Sequence, residues 1–507
     1  MSDKEVSALL DSDKPLVVIE APAGCGKTYQ ASCYADRAAS ELDTGRVLIL
    51  THTHAACGVF AKATQGKHNH VEIRTIDSLI VQIAAAYHKS LDLPVDPYVW
   101  AQQDGSFSEL ANRVAALVTS KPMISEALAN RYPMVIGDEH QDSSEDQDAI
   151  IMSLFRAGSC LRIFGDPMQR IYGRKNKTTA DADRKRWEDM KSAGAFMELE
   201  TPHRWRDGSQ ELGQWILQAR RVLKDGNPVD LSGTLPTGLL VICVENLART
   251  RTGFSLSRHD RRPIDRIVSG SDNLLVLTSQ NETVDSLTGF WNRRLPIWEG
   301  HTRDALEKLV NSMDSYNGNP VQITEALVVF LMKVAVGFSP SSHGNRLVQE
   351  VASGCTARAR GKPALIQELG QFIIDEPNHV GVSKCLMRLS EHIEQQIAGF
   401  ESVKIDYRRE FKDAIRLIEF SDPAIGMTEI NRRRSFAHPM PPQKSVSTIH
   451  KAKGLECDNA IIVPCDRQTF STSEYARCKL YVALSRAKRT LTLVLSSNNP
   501  SPLFYLG

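Results

Sequence analysis

Residues 21–28 read Ala-Pro-Ala-Gly-Cys-Gly-Lys-Thr and follow directly on the apolar run Pro-Leu-Val-Val-Ile-Glu. Their types and spacing fit a phosphate-binding loop, with Ala21 where the first glycine usually stands. Gly24 and Gly26 let backbone N–H groups curl round an anion, and the helix expected from Lys27 to about Leu42 adds the positive end of its dipole. Lys27 can reach the β- and γ-phosphates of ATP, and Thr28 can ligate Mg²⁺. The expected nucleotide contacts are therefore Ala23, Gly24, Cys25, Gly26, Lys27, Thr28 and Tyr29. Taken alone, a strand-to-helix turn rich in small residues would read the same way.

The loop does not stand alone. In Met-Val-Ile-Gly-Asp-Glu-His-Gln-Asp-Ser-Ser (134–144) an apolar run ends in two carboxylates. Asp138 can hold Mg²⁺ through water, and Glu139 can orient and deprotonate an attacking water. A further strand-like run ends at Gly165-Asp166, with Gln169 spaced to sense a γ-phosphate and Tyr172 offering an aromatic face. Thr-Pro-His-Arg-Trp-Arg (201–206) supplies Arg204. Lys-Leu-Tyr-Val-Ala-Leu-Ser-Arg-Ala-Lys (479–488) supplies Arg486 on an expected helix. Arginines brought to a γ-phosphate stabilise transition-state charge and report the nucleotide state, although each by itself is also what a surface ion pair looks like.

These side chains need elements to hold them. At 507 residues the chain exceeds one core, and about 150 residues per domain implies roughly three or four. The runs PLVVIE, RVLIL, VEIRT, MVIGDE and LRIFGD alternate with helical stretches and read as buried parallel strands of a doubly wound α/β sheet. LLVLTS, NAIIVP and LTLVL imply a second α/β sheet assembled from distant segments. The expected division is a first α/β domain from 1–84 and 131–215 with a small helical insertion at 85–130. A second follows from 216–300 and 441–507, with a larger helical insertion at 301–440.

Composition excludes several classes. A formal net charge of +1 gives no global nucleic-acid signature, so contacts to a strand must be local; Arg-rich stretches at 261–266, 358–362 and 431–434 read equally as solvated faces. Ten cysteines without a C-x-x-C pair argue against a disulfide framework or a zinc site. The polar start and the short apolar runs imply no signal peptide, no membrane span and a cytoplasmic location.

The segments APAGCGKT, GDEHQD, GDPMQRIYG, PHRW, VSTIHKAKGLE and YVALSRAK resemble, in order and approximate spacing, those of superfamily 1 helicases of the UvrD/Rep type. The resemblance implies two RecA-like motor domains and ATP roles for Lys27, Thr28, Asp138, Glu139, Gln169, Arg204 and Arg486. It sets Glu456 near the ribose and phosphates. It also implies contacts to single-stranded or forked DNA: His52 and Tyr172 stacking on bases, Thr75 near a phosphate, and Thr448 and His450 at the backbone. The implied activity is a DNA-dependent ATPase moving 3′ to 5′.

Some positions depart from that pattern. Glu5 stands where a glutamine reads adenine, Arg174 where a stacking tryptophan is usual, Ala55 for a lysine and Asp77 for a histidine. Together they imply an altered grip on the strand with the ATP chemistry kept. The short insertions make the layout similar to the helicase-like subunit of the Gabija antiphage system, which implies a nuclease partner of the OLD type. The alternative reading is a regulatory subunit that senses nucleotide or DNA ends, controls a nuclease and unwinds little by itself.

Overall fold

The computed structural model describes residues 2–64, 70–103, 106–172, 177–245, 248–250, 253–299, 303–436 and 442–507; Arg174, expected to stack on a base, lies outside them. Two compact units are present, one formed by Met1–Trp298 with Pro439–Gly507 and the other by Glu299–His438.

Among its described residues the first unit holds two large sheets and two small two-stranded ones. In the first, strands β1 (Leu16–Glu20), β2 (Val47–Thr51), β3 (Val71–Thr75), β4 (Met134–Gly137), β5 (Cys160–Gly165) and β6 (Ala195–Glu198) are ordered β3-β2-β4-β5-β1-β6, every pair parallel. Alternate residues serve opposite faces, so Leu16 and Val18 join one apolar cluster while Val17 and Ile19 join another. Helices α1 (Asp3–Leu10), α2 (Lys27–Glu41), α3 (His54–Ala63) and α4 (Ile76–Ala86) lie between or beside the early strands. The helices α5 (Pro97–Gln103), α6 (Phe107–Ser120) and α7 (Pro122–Arg131) intervene before β4. Then come α8 (Glu145–Arg156), α9 (Lys177–Ala193) and α10 (Gln210–Lys224); the boundary expected at 215/216 falls inside α10.

The second sheet contains β7 (Leu239–Val244), β8 (Leu274–Thr278), β9 (Lys444–Thr448), β10 (Cys457–Cys465) and β11 (Ala487–Ser496), ordered β9-β8-β10-β11-β7 and again wholly parallel. Helices α11 (Arg258–Gly270) and α12 (Asn281–Phe290) flank β8 in sequence. Both folds are α/β, as the alternation of runs implied. Of the strands in these two large sheets, β6, β7 and β9 were not read from the sequence. β9, Lys-Ser-Val-Ser-Thr, is polar in composition yet buried over its last four residues, because small hydroxyl side chains fit a sheet interior without apolar bulk.

The unit Glu299–His438 is helical: α13 (Asp304–Ser315), α14 (Pro320–Val334), α15 (Arg346–Ala352), α16 (Lys362–Asp375), α17 (His379–Glu394), α18 (Arg408–Arg416) and α19 (Pro423–Phe436). In its core the His343 ring lies 5.0 Å from Phe338 and 5.2 Å from Phe400. Back in the first unit, α20 (Glu474–Leu484) joins β10 to β11. Among the described residues no helix is long and apolar enough to cross a membrane.

Parallel strands bring all their carboxyl ends to one edge, and the segments singled out above follow β1, β2, β4, β5 and β9 there. That edge carries an ionic cluster. Arg220 of α10, 1% exposed, meets Asp166 at 2.8 Å, Glu198 at 2.6 Å and Glu20 in closer contact, and Lys224 also pairs with Glu20. Burial works against these charges, but their mutual attraction keeps the Glu20 carboxyl below its usual range and the Arg220 guanidinium far above its own. Replacing Arg220 by Met strands two buried carboxylates. The Arg220→Met protein should lose about 3–5 kcal/mol, read from the midpoint of denaturant unfolding; an unchanged midpoint would show the cluster to be energetically silent.

Candidate functional site

The turn after β1 is built for an anion. Gly24 and Gly26 have φ of +75° and +83°, left-handed values open to glycine at little cost. Gly26 caps α2 without a side-chain hydrogen bond, which leaves the first-turn amides to another acceptor. A Cβ on Gly24 would lie 2.6 Å from the Arg204 Cβ and 2.8 Å from the Trp205 ring; one on Gly26 would lie 3.0 Å from His203. Cys25 is fully buried in the core beneath, and burial pushes its thiol up to about 12, so only its backbone can serve a ligand. Tyr29, 70% exposed, stands on the outer side of α2.

Lys27 is largely buried and reaches across to β4. Its ammonium lies 3.0 Å from Asp138 Oδ1 and closer still to Glu139 Oε1. Burial works against this charge, yet Asp138 and Glu139 outweigh it and hold the ammonium protonated well above its usual range. Burial likewise opposes Glu139, whose carboxyl Lys27, Lys453 and Gln141 nevertheless hold far below the ordinary carboxylate range. Burial raises Asp138 instead, against the Lys27 ammonium beside its Oδ1. Glu139 also has φ +52°, a conformation that costs a side-chain-bearing residue about 1–3 kcal/mol and is typical of functional turns.

From Glu139 a polar chain runs along the sheet edge. Gln141 donates to Glu139 and accepts from the Asp166 amide at 3.0 Å. Asp166 accepts from the Gln169 side chain at 3.0 Å and from Arg220. Thus Gln169 faces Asp166.

The second sheet contributes the opposite wall. Tyr481 on α20 accepts the Ala23 amide at 2.8 Å within the phosphate loop itself. Arg204 donates to the Gly24 carbonyl through its backbone at 3.0 Å, and its guanidinium contacts the Ser485 carbonyl and Glu456, both at 2.7 Å. Trp205 donates to the Ala487 carbonyl at 2.7 Å. Arg486 differs from expectation: α20 ends at Leu484, so Arg486 lies beyond the helix, on the connection into β11. It is buried and donates to the carbonyls of Val482 and Leu455 and to Ser485 Oγ. Burial, with Arg204 nearby, brings its pKa down to about 10, still charged at neutral pH.

The residues expected on a DNA track occupy a second group. Tyr172, 51% exposed, donates to the His450 carbonyl at 3.0 Å, and His450 Nε2 lies 2.5 Å from the Tyr475 hydroxyl. His52 is half-buried and 3.1 Å from Ser143 Oγ; burial and the neighbouring His140 bring its pKa down to about 4, so the ring is neutral. Thr75 and Thr448 are buried. Thr75 caps α4 by accepting the Ser78 amide, and Thr448 accepts from the Lys451 amide at 3.3 Å. Glu5 is spent on its own helix, closing a capping box with Ser2. Asp3 instead approaches the loop, with Oδ2 2.6 Å from His203 Nε2.

Lys453 was not singled out in the sequence, although it lies within a quoted segment. Its ammonium sits 2.5 Å from Asp142, donates to the Gln169 carbonyl at 2.8 Å and lies 4.7 Å from the centre of the Tyr172 ring. One cation from the second sheet thereby touches the acidic segment, the Gln169 turn and the exposed aromatic at once.

The model of the UvrD/REP helicase N-terminal domain matches residues 96–179, and that of the UvrD-like helicase C-terminal domain matches residues 445–494. No curated protein matches the sequence. Among solved structures, the Pif1 helicase from Candida albicans is similar at 12% identity with a TM-score of 0.38, over 97% of this chain and 94% of that one.

Gly24→Ala combines a positive φ with an overlap against Arg204 and Trp205. It should lower stability by about 1–3 kcal/mol in thermal unfolding; a wild-type melting temperature would mean the two walls part freely at this point.

Proposed function

We propose, on the premise that the chain is a superfamily 1 helicase of the UvrD/Rep type, that it is an ATP-driven motor moving 3′ to 5′ on single-stranded DNA. The observation that carries this reading is the ion group Lys27, Asp138 and Glu139 at the mouth of a glycine turn, with Arg204 on its far side bridging to Ser485 and Glu456. Asp138 is a buried carboxylate at the end of β4 that already holds a cationic group, the Lys27 ammonium 3.0 Å from its Oδ1, so Thr28 and Asp138 would hold Mg²⁺. When bound, Mg²⁺ neutralises charge on the β- and γ-phosphate oxygens.

Lys27 cannot serve Glu139 and a triphosphate equally. As its ammonium turns to the phosphates, the attraction that now depresses Glu139 weakens, and the carboxylate becomes basic enough to take a proton from water. Arg204 and Arg486 stabilise charge on the γ-phosphate, Gln169 senses it, and Glu456, now paired with Arg204, is released toward the ribose. Lys453 carries the change outward, since it holds the Gln169 carbonyl and faces Tyr172. His52, Tyr172, Thr448 and His450 grip the strand, chiefly by stacking that tolerates any base. Two motor domains, their junction moved off the expected 215/216 because α10 runs through it, cytoplasmic action and an OLD-type nuclease partner in antiphage defence complete the reading; the last two rest on the resemblance to the Gabija helicase-like subunit.

Glu139→Gln should keep ATP and DNA binding and lower kcat by about 10²–10⁴-fold in a phosphate-release assay; near-normal turnover removes Glu139 from the base role. His52→Ala combined with Tyr172→Ala should weaken oligonucleotide binding by about 1–3 kcal/mol per stacked base, measured by fluorescence anisotropy, with DNA-free ATP affinity kept. Unchanged DNA affinity would put the track elsewhere.

A further inference from the structure

We infer that Asp148, His140 and Ser143 are positioning residues that hold the His52 ring in one tautomer, so that it meets a strand through a base and not through a phosphate. The strand comes from the motor reading; the chain of hydrogen bonds does not depend on it.

Four side chains from three places in the fold make up this chain. His52 follows β2, His140 and Ser143 follow β4, and Asp148 sits in the first turn of α8. Asp148 Oδ1 lies 2.9 Å from His140 Nε2, His140 Nδ1 lies 3.4 Å from Ser143 Oγ, and Ser143 Oγ lies 3.1 Å from His52 Nε2. His140 and Ser143 are buried, so water competes little for these contacts.

Donor and acceptor capacity sets the polarity of the chain from its acidic end. A carboxylate only accepts, so the single N–H of a neutral His140 sits on Nε2, toward Asp148, and its Nδ1 is an acceptor. Ser143 must then give its hydroxyl proton to His140, which leaves its oxygen to accept from His52 Nε2. His52, whose ring is neutral, thereby carries its one proton inward. Its Nδ1 has no hydrogen-bond partner among the described residues. As a bare acceptor that nitrogen repels a phosphate oxygen and takes an N–H from the edge of a base. Glu139 directly precedes His140, and Gln141 of the same turn donates to Glu139, so the ring that meets the base and the catalytic carboxylate are tied to one short segment.

The test is ¹⁵N NMR of the full-length protein labelled at histidine, at mildly alkaline pH, with the His52 signals identified by their loss in His52→Gln. Wild-type His52 should show a protonated Nε2 and a bare Nδ1. Asp148→Asn puts an amide, which both donates and accepts, where only an acceptor stood, and His52 should become a mixture of tautomers. Ser143→Ala should do the same and weaken binding of a single-stranded oligonucleotide about three- to tenfold in fluorescence anisotropy, with Ser143→Thr restoring it. An oligonucleotide of abasic sites should bind wild type and Ser143→Ala alike. Melting temperatures check that each variant folds, and the wild-type signals stand without any variant of the chain. A proton on Nδ1 of wild-type His52, unchanged His52 signals in Asp148→Asn, undiminished oligonucleotide affinity in Ser143→Ala, or an equal loss on abasic DNA would each overturn the assignment. If the wild type binds no oligonucleotide at all, the motor reading falls while the histidine signals still report the chain.

Discussion

A lysine held out of water at the edge of a sheet needs opposite charge, and here the requirement is met by Asp138 and Glu139 at the end of the strand two places away. The geometry of the site follows from that constraint. β5 lies between β1 and β4, so the side chain of Lys27 must cross the end of β5 to reach the carboxylates of β4. It does so because the turn at Gly24 and Gly26 starts α2 over the strand ends. The same lysine then decides how basic Glu139 is, because a carboxylate beside an ammonium keeps its charge at the expense of its proton affinity.

The second constraint is that the two sheets are joined at the site through a shared interior. Ala23, Met168 and Trp205 from the first part of the chain lie in the same apolar cluster as Leu480, Tyr481 and Leu484 of α20. Hydrogen bonds from Tyr481, Arg204 and Trp205 cross at the same place. A movement between the sheets must therefore repack this cluster, and interiors at crystal-like density switch between discrete arrangements more readily than they deform. Lys453, with Asp142, Gln169 and Tyr172 around it, is the polar counterpart of that joint.

Much of this was legible from local pattern. The five early strands were readable because continuous β-branched and aliphatic runs signal a sheet buried on both faces. The glycine turn, the paired acids and the arginine segments were readable because phosphate chemistry restricts residue type and spacing. β9 was not, since Lys-Ser-Val-Ser-Thr carries no apolar run, nor was the seat of Arg486, which a helical sequence pattern extends two residues too far. Arg220 gave no signal at all: a basic residue in an amphipathic helix normally faces water, and only the convergence of Glu20, Asp166 and Glu198 draws it inward.

The sequence by itself determined the chemical inventory, an α/β chain with a phosphate loop, strand-end carboxylates and distant arginines, because backbone periodicity and phosphate binding are short-range demands written in neighbouring residues. Only the tertiary structure decided which charges meet. Lys453 reaches Asp142 across 311 positions and Tyr481 reaches Ala23 across 458, and no local pattern encodes such contacts. They exist because two sheets bury one another's edges, and that burial assigns each buried charge its partner.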